Sequence, residues 1–374
     1  MKGLNISEVF LFLHLRRVGE QESKAIRHIQ QLGIIARELN LTLVLPPMWK
    51  ARFGTCYRNP FTYYYERDVF KTLGVVSMTF EAFQQWTSRR FSKPTSRIFN
   101  VLRSNTETKS SPEFEHVTIS ESMHHISKGK RDCLEHKAPR ITFASATTTI
   151  RPAMPEWFLD PSQTAGLAND IMTVFGRETS NIISVKWELR HPIFPELAVL
   201  RNIEYARRWT ELARSISTDI SPFIAIHWRM ETAPVHHMLA CAEGLVSTIN
   251  SIYQLPRGNS LAIDANASSD TIAVYLATDY PLETPTAAAH SGTFRDLHEN
   301  HHAAIRSLMD AFSSDGTLAP LRLTNLAQEI KASEERHGIR WEDMDSGLKG
   351  ILDKLIAMHS NWFIAGTRTC SRRR

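Results

Sequence analysis

The 374-residue sequence lacks several features that would place it in a function class at once. Its apolar runs all fall short of the roughly 18 residues that a membrane-spanning helix needs. The most apolar one, Val9–Leu15, is short and contains His14. The loop after this run has one glycine, Gly19, and therefore no dinucleotide-binding glycine pattern. No internal repeat is visible either. We therefore expect neither a membrane span in this chain nor a solenoid or a typical nicotinamide dehydrogenase.

Cysteine and clustered charge are also scarce. The four cysteines, Cys56, Cys133, Cys241 and Cys370, form no CxxC pair and no zinc-finger spacing. They allow zero, one or two disulfides, and the sequence does not choose among these. The net charge is +5, but apart from the C-terminal Arg372–Arg374 the excess is spread along the chain. A basic stripe with interleaved aromatic residues is missing, so we expect no nucleic-acid partner.

The length and composition allow two domains of ordinary size, and local patterns predict an α/β fold. Apolar residues make up 42% of the chain and charged residues 22%, which is enough for two ordinary cores. Val9–Leu15, a helical apolar spacing over residues 25–39 and Leu41–Leu45 predict a strand, helix and parallel strand. We place one domain at 1–205, with a polar insertion at about 96–137, and the second at 206–374.

The segment Phe223–Glu231 carries the clearest functional signal. Four apolar residues predict a buried strand that ends in His227 and Arg229, which alternate with Trp228 and so point to one side. An imidazole and a guanidinium at a sheet edge suit a phosphate ligand. Alternatively, Arg229 pairs with a carboxylate at the domain surface. The next predicted strand ends at Asp279, and all carboxyl ends of a parallel sheet lie on one edge, which favours a ligand site.

Five segments in chain order carry a family resemblance. They are Gly19–Lys24 with Leu41–Pro47, Phe53–Tyr57 with Pro60–Tyr65, Ile224–Thr232, Val274–Asp279, and Gly350–Ile356 with Asn361–Thr367. Together they resemble the GDP-fucose-dependent fucosyltransferases, in particular the protein O-fucosyltransferase-like group and its fungal branch. The resemblance covers most of the chain except about residues 90–195.

This resemblance implies a GT-B architecture, with two Rossmann-like domains that face a cleft. It implies a metal-independent, inverting transfer of fucose from GDP-fucose to a protein or glycan hydroxyl, with no cofactor besides the donor substrate. The family resemblance places the protein in the lumen of the endoplasmic reticulum or Golgi. The chain itself shows no targeting segment, so a cytoplasmic location stays open, and the oligomeric state is not predicted.

The resemblance also assigns roles to individual residues. Arg229 neutralises the charge that develops on the leaving diphosphate, His227 contacts the nucleotide beside it, and Asp353 binds the base. The other substrate-binding candidates are Gly19, Asp279, Thr367, Thr369 and Ser371. Glu20 and Glu22 are candidates for the base that deprotonates the acceptor, although acidic residues at a helix N-terminus are also favoured by the helix dipole alone.

Two departures from the family pattern leave other functions open. Met230 follows Arg229, so the pattern with two arginines that is associated with α-1,6 transfer to N-glycans is not present. The chain ends at Ser371 and three arginines, which leaves a non-catalytic nucleotide- or glycan-binding relative as an alternative. A second alternative is a zinc hydrolase, because His298-Glu299-Asn300-His301-His302 matches HExxH.

Overall fold

The computed structural model describes residues 10–13, 22–53, 59–91, 94–101, 144–150, 161–187, 193–194, 203–231, 233–255, 272–282, 297–365 and 370. The chain divides into two compact units, Met1–Arg207 and Arg208–Arg374. Each unit contains a parallel sheet with helices packed against it. Within the described residues, no helix is long and apolar enough to cross a membrane.

The first unit is built on a six-stranded sheet. Its strands are β1 Phe10–Leu13, β2 Thr42–Leu45, β5 Ser77–Thr79, β6 Thr95–Val101, β7 Ala144–Ile150 and β8 Ile182–Trp187. They lie in the order β5-β2-β1-β8-β6-β7, and every neighbouring pair is parallel. A small antiparallel pair, β3 Met48–Trp49 and β4 Arg52–Phe53, follows β2.

Four α-helices are described in the first unit: α1 Glu22–Glu38, α2 Asp68–Thr72, α3 Phe80–Ser88 and α4 Pro161–Gly176, with a 3-10 turn at Phe61–Tyr63. Helix α1 buries Ile29, Leu32 and Ile35 at helical spacing. All four residues of β2 are buried, as expected for a parallel strand that is covered on both faces. The predicted strand, helix and parallel strand are therefore confirmed.

The predicted insertion begins too early. Residues 95–101 form β6, which is paired on both sides and buries Phe99 and Val101. This strand was not predicted, because its polar residues Ser96, Arg97 and Asn100 interrupt the apolar pattern that is typical of a strand. Residues 102–137, the rest of the predicted insertion, lie outside the described part of the chain.

The second unit is built on a four-stranded parallel sheet. Its strands are β9 Phe223–Trp228, β10 Ala273–Thr278, β11 Arg322–Thr324 and β12 Trp362–Ala365, in the order β11-β10-β9-β12. Its helices are α6 Met238–Tyr253, α7 Glu299–Ala311, α8 Leu326–His337 and α9 Ser346–Ala357, preceded by α5 Arg207–Asp219, which starts at the unit boundary. Short 3-10 turns cover Val235–His237 and Trp341–Asp343.

The two faces of β9 have different partners. Ile224, Ile226 and Trp228 belong to a buried apolar cluster with residues of α6 and α7. Phe223 and His227 alternate with them and lie on the other face, where the ring of Phe223 contacts Tyr275 of β10. Helix α9 packs on this second face. The sheet thus packs one face of β9 into an apolar cluster and places His227 on the other face.

Candidate functional site

The strand order of the second unit indicates where a ligand would be expected to bind. The chain runs from β9 to β10 and β11 on one side, while β12 lies on the other side of β9. In open parallel sheets, ligands bind at the carboxyl ends of the strands where the order reverses, here between β9 and β12. Strand β9 delivers His227 and Arg229 to this edge, and Ala365 at the end of β12 pairs in register with His227.

His227 is the exposed residue of an otherwise buried strand. Trp228 points to the opposite face and is 1% exposed, which confirms the predicted alternation. Partial burial lowers the pKa of His227 below its ordinary value, and the positive charge of the Arg229 guanidinium lowers it further. The imidazole is therefore neutral at neutral pH, when it can donate or accept a hydrogen bond but carries no charge.

Arg229 supplies a permanent positive charge at this edge. Its Nη2 lies 3.7 Å from Oε2 of Glu231, longer than a hydrogen bond, and both side chains are partly exposed. The alternative of a pairing with a surface carboxylate is thus present, but in a loose form. Because exposed pairs of this kind contribute little, a ligand with a higher negative charge can replace Glu231 as the partner of Arg229.

Asp279 follows β10 directly and holds the backbone beyond β9. Its Oδ1 accepts the N–H of Met230 at 2.7 Å, and its Oδ2 accepts the N–H of Glu231 at 3.2 Å. Burial raises the pKa of Asp279 above its ordinary value, against the two hydrogen bonds, which lower it. Its predicted contact with substrate stays a prediction, while the structure gives its carboxylate oxygens these backbone donors.

Asp353 of α9 is held by a tyrosine that sequence analysis did not single out. The Tyr275 hydroxyl donates to Oδ1 of Asp353 at 2.7 Å. Tyr275 pairs with Ala225, two residues before His227 on the same face, so the two sites are about 7 Å apart along the strand. Asp353 keeps some accessible surface, yet the surrounding protein raises its pKa to about 7 by desolvation, despite the lowering effect of Tyr275.

The first unit has a second cluster at the carboxyl edge of its own sheet. Glu22 begins α1, the helix after β1, and its Oε1 accepts hydrogen bonds from Tyr65 at 3.1 Å and Tyr205 at 2.7 Å. The two rings stack at 5.4 Å. Burial and the charge of Glu22 raise the pKa of both phenols. The carboxylate is thus fixed by two donors that remain protonated, and Tyr205, far away in sequence, gave no signal in the pattern analysis.

Five of the sequence-predicted site residues lie outside the described residues: Gly19, Glu20, Thr367, Thr369 and Ser371. Their predicted roles stay predictions. The described candidates separate into two groups, since His227, Arg229, Asp279 and Asp353 belong to the second unit and Glu22 belongs to the first.

The HExxH segment does not have the geometry of a zinc-binding helix. Helix α7 begins at Glu299, and His298 precedes it with an extended backbone, so the two outer histidines do not share one helix face. His302 Nδ1 instead lies 2.6 Å from the Tyr280 hydroxyl, and His301 Nδ1 accepts the N–H of His298. Among the residues that the structure describes, no group of three His, Cys, Asp or Glu side chains is placed to hold a metal.

Comparisons with known proteins identify the fold. No family model matches the sequence, and neither does any curated protein. The crystal structure of POFUT1 in its apo form matches with a TM-score of 0.51 and 12% identity, over 98% of this chain and 93% of POFUT1. Structures of POFUT1 with GDP and with GDP-fucose each have a TM-score of 0.49, at 11% and 12% identity, over 96% of this chain and 91% of theirs. The apo match shows that this chain has a mixed α/β fold of the GT-B type like that of POFUT1, which confirms the predicted fold class.

Proposed function

We propose that the protein is a metal-independent, inverting fucosyltransferase that uses GDP-fucose as donor and a protein or glycan hydroxyl as acceptor. The observation that supports this most directly is the placement of His227 and Arg229 at the order reversal of a parallel sheet. Asp353 lies on the face of the sheet that carries His227, where it accepts a hydrogen bond from Tyr275. The fold it shares with POFUT1, a GDP-fucose protein O-fucosyltransferase, and the sequence resemblance to the fungal branch favour this substrate class.

The proposed reaction requires two charges to be managed. The acceptor oxygen forms a bond to the anomeric carbon of fucose, and the bond from that carbon to the diphosphate oxygen breaks. The electron pair leaves with GDP, and the acceptor proton goes to a base. Arg229 would neutralise the charge that grows on the β-phosphate, a contact that is strongest in the transition state. Neutral His227 would donate one N–H beside it.

The remaining contacts of the donor would divide between its base and its phosphates. The free carboxylate capacity of Asp353 would accept N–H groups of guanine, while Tyr275 fixes Oδ1 of that carboxylate. Thr367, Thr369 and Ser371, which follow β12 in the sequence, would offer hydroxyl groups to the phosphates. Gly19 and Glu20 precede α1 and would lie on the acceptor side, with Glu22.

GDP should bind to the protein in the presence of excess chelator. The proposal assigns the phosphate contacts to the cationic Arg229 and to polar groups at the strand ends, so we expect GDP to bind without a divalent ion. Isothermal titration calorimetry with EDTA measures this directly. Binding that requires Mg²⁺ or Mn²⁺ would contradict the proposal, whereas metal-free binding of GDP-fucose without any transfer would favour the non-catalytic alternative.

The same titration with guanosine should show stronger binding as the pH rises through about 7. Asp353 must be ionised to accept two N–H groups, and its pKa is raised to about 7, so acid protonates it and removes this contact. Guanosine lacks phosphates, which separates this effect from protonation of His227. The pH dependence should disappear in Asp353→Asn, and a flat profile for the native protein would exclude Asp353 from base recognition.

We further propose that Glu22 or Glu20 accepts the proton of the acceptor. Glu22→Gln should then lower the turnover number by about 100-fold or more while the affinity for GDP stays unchanged. Glu38→Gln, at the other end of α1, is the matched control and should leave both quantities unchanged. If Glu22 only stabilises the N-terminus of α1, Glu22→Gln will lower the melting temperature and leave the turnover number unchanged. Full activity of both the Glu20 and Glu22 variants would place the base elsewhere.

The location proposed from the family resemblance, the lumen of the secretory pathway, has one structural support. Cys241 and Cys370 form a disulfide in the second unit. Disulfides persist in oxidising compartments and are rare in the cytosol. Fractionation of cells that express the full-length protein, followed by thiol labelling of each fraction, would test this location.

A further inference from the structure

We infer that Asp279 is a positioning residue, whose carboxylate fixes the backbone that carries Arg229. This inference rests on the proposed function, because Arg229 acts there on the donor diphosphate. The sequence pattern alone suggested a direct contact between Asp279 and the substrate. The hydrogen bonds instead direct both carboxylate oxygens at consecutive backbone N–H groups, those of Met230 and Glu231.

The position of Asp279 follows from strand register. Trp228 and Thr278 are paired at the ends of β9 and β10, so Arg229 and Asp279 are the first residues beyond the paired region. The chain after β9 turns here, with the N–H of Ala233 donating to the carbonyl of Met230. The Asp279 carboxylate spans the gap between the two strand ends and binds the turn just after Arg229.

A second anchor fixes the same turn from the other side. Met230 is 0% exposed, and its side chain belongs to the apolar cluster with α6 and α7. Its side chain is thus held by packing and its N–H by Asp279. The Cα of Arg229 is therefore held between a paired strand end and an anchored residue, at the strand end that also carries His227.

Charge also argues against a direct contact of Asp279 with a diphosphate. Both groups are anionic, and Glu231 already adds negative charge near Asp279, while Arg229 is the nearby cation. Hydrogen bonds from backbone N–H groups to an ionised carboxylate are stronger than those between neutral groups. The ionised side chain is therefore stabilised by the turn that it holds, and the guanidinium remains available to the ligand.

The test combines an amide measurement with a binding and rate measurement. In ¹⁵N-labelled native protein, the amide resonances of Met230 and Glu231 should titrate together as Asp279 is protonated at acid pH. In Asp279→Asn both should shift at neutral pH and lose that titration. The affinity for GDP should fall about tenfold, and the transfer rate about 10- to 100-fold, because small displacements of a catalytic group cost this much.

The matched control is Asp345→Asn. Asp345 caps α9 and also accepts two backbone N–H groups, those of Gly347 and Leu348, at 2.9 Å each. Asparagine is an equally good cap, so GDP affinity and transfer should stay as in the native protein. A comparable loss in this control would show that Asp279→Asn acts by general destabilisation and would overturn the positioning role.

Two further results would overturn the inference. If the amide chemical shifts of Met230 and Glu231 change neither with pH nor in Asp279→Asn, then Asp279 does not hold the turn. Shifted amides with native GDP affinity and transfer would show that holding the turn does not serve Arg229. If native protein fails to bind GDP at all, the proposed function is wrong, and the amide titration still decides whether Asp279 holds the turn.

Discussion

Replacing Arg229 with alanine should abolish most fucosyl transfer and leave the fold intact. The guanidinium is placed to stabilise charge that appears on the leaving diphosphate, and loss of one such preorganised contact costs about 3 kcal/mol, or roughly 100-fold in rate. The side chain is 39% exposed and its pairing with Glu231 is loose at 3.7 Å, so its removal should hardly change the free energy of unfolding. Transfer rate and melting temperature measured on one preparation test both statements.

Two companion variants sharpen this measurement. Arg229→Lys should recover only part of the lost activity, because an ammonium group keeps the charge but cannot make the forked contact of a guanidinium. Arg336→Ala removes an exposed arginine that pairs with Asp219 at 2.7 Å and is the matched control for a purely structural arginine. A lowered melting temperature with native transfer in Arg229→Ala would assign Arg229 to the structural class instead.

The sequence predicted the elements that have a strong local pattern. Phe223–Ile226 is a continuous apolar run, and residues 25–39 have helical spacing, so β9 and α1 were recognisable from short windows. β6 was not predicted because its polar and apolar residues do not alternate regularly. Its strand conformation depends on pairing with β7 and β8, which are distant in sequence. Tertiary pairing overrides local propensity in such strands.

The residues of the candidate site also differ in whether the sequence could predict them. His227 and Arg229 were recognisable because they end a strand, and their common side follows from strand geometry alone. The tyrosines that donate hydrogen bonds to the site carboxylates were not recognisable, because Tyr275 is 78 residues from Asp353 and Tyr205 is 183 residues from Glu22. No pattern in one sequence reports which of many tyrosines reaches a given carboxylate. The backbone partners of Asp279 were not predictable for a related reason, because strand register decides which donors its carboxylate faces.

The disulfide is the remaining feature that sequence left open and the structure specifies. Cys241, near the start of α6, is 2% exposed and pairs with Cys370, which is 129 residues later in the chain. The sequence allowed zero, one or two disulfides, and spacing alone does not identify partners. Cys56 and Cys133 lie outside the described residues, so their state is not assigned. The bond joins α6 to the segment after β12, where Thr369 and Ser371 flank Cys370.

Removing this disulfide should lower the free energy of unfolding of the second unit by about 2–5 kcal/mol. A crosslink that closes a chain of this length restricts the unfolded state strongly, and chain-entropy estimates reach about 5 kcal/mol for loops of roughly 130 residues. Cys370→Ala breaks the bond and leaves the buried side chain of Cys241 in place, which separates loss of the crosslink from loss of packing. Denaturant unfolding of this variant and the native protein measures the difference.

Weaker binding of GDP should accompany the loss of stability, because the residues proposed to hold the phosphates flank Cys370. Calorimetry on Cys370→Ala should therefore show a raised dissociation constant at a temperature where the protein is still folded. Reductant should have the same effect on the native protein. In the double variant Cys241→Ala/Cys370→Ala, reductant should cause no further change in GDP affinity, which controls for Cys56 and Cys133. Equal stability of variant and native protein, or alkylation of Cys241 and Cys370 in unreduced protein, would contradict the bond, whereas lowered stability with unchanged GDP affinity would separate the crosslink from the phosphate-binding segment.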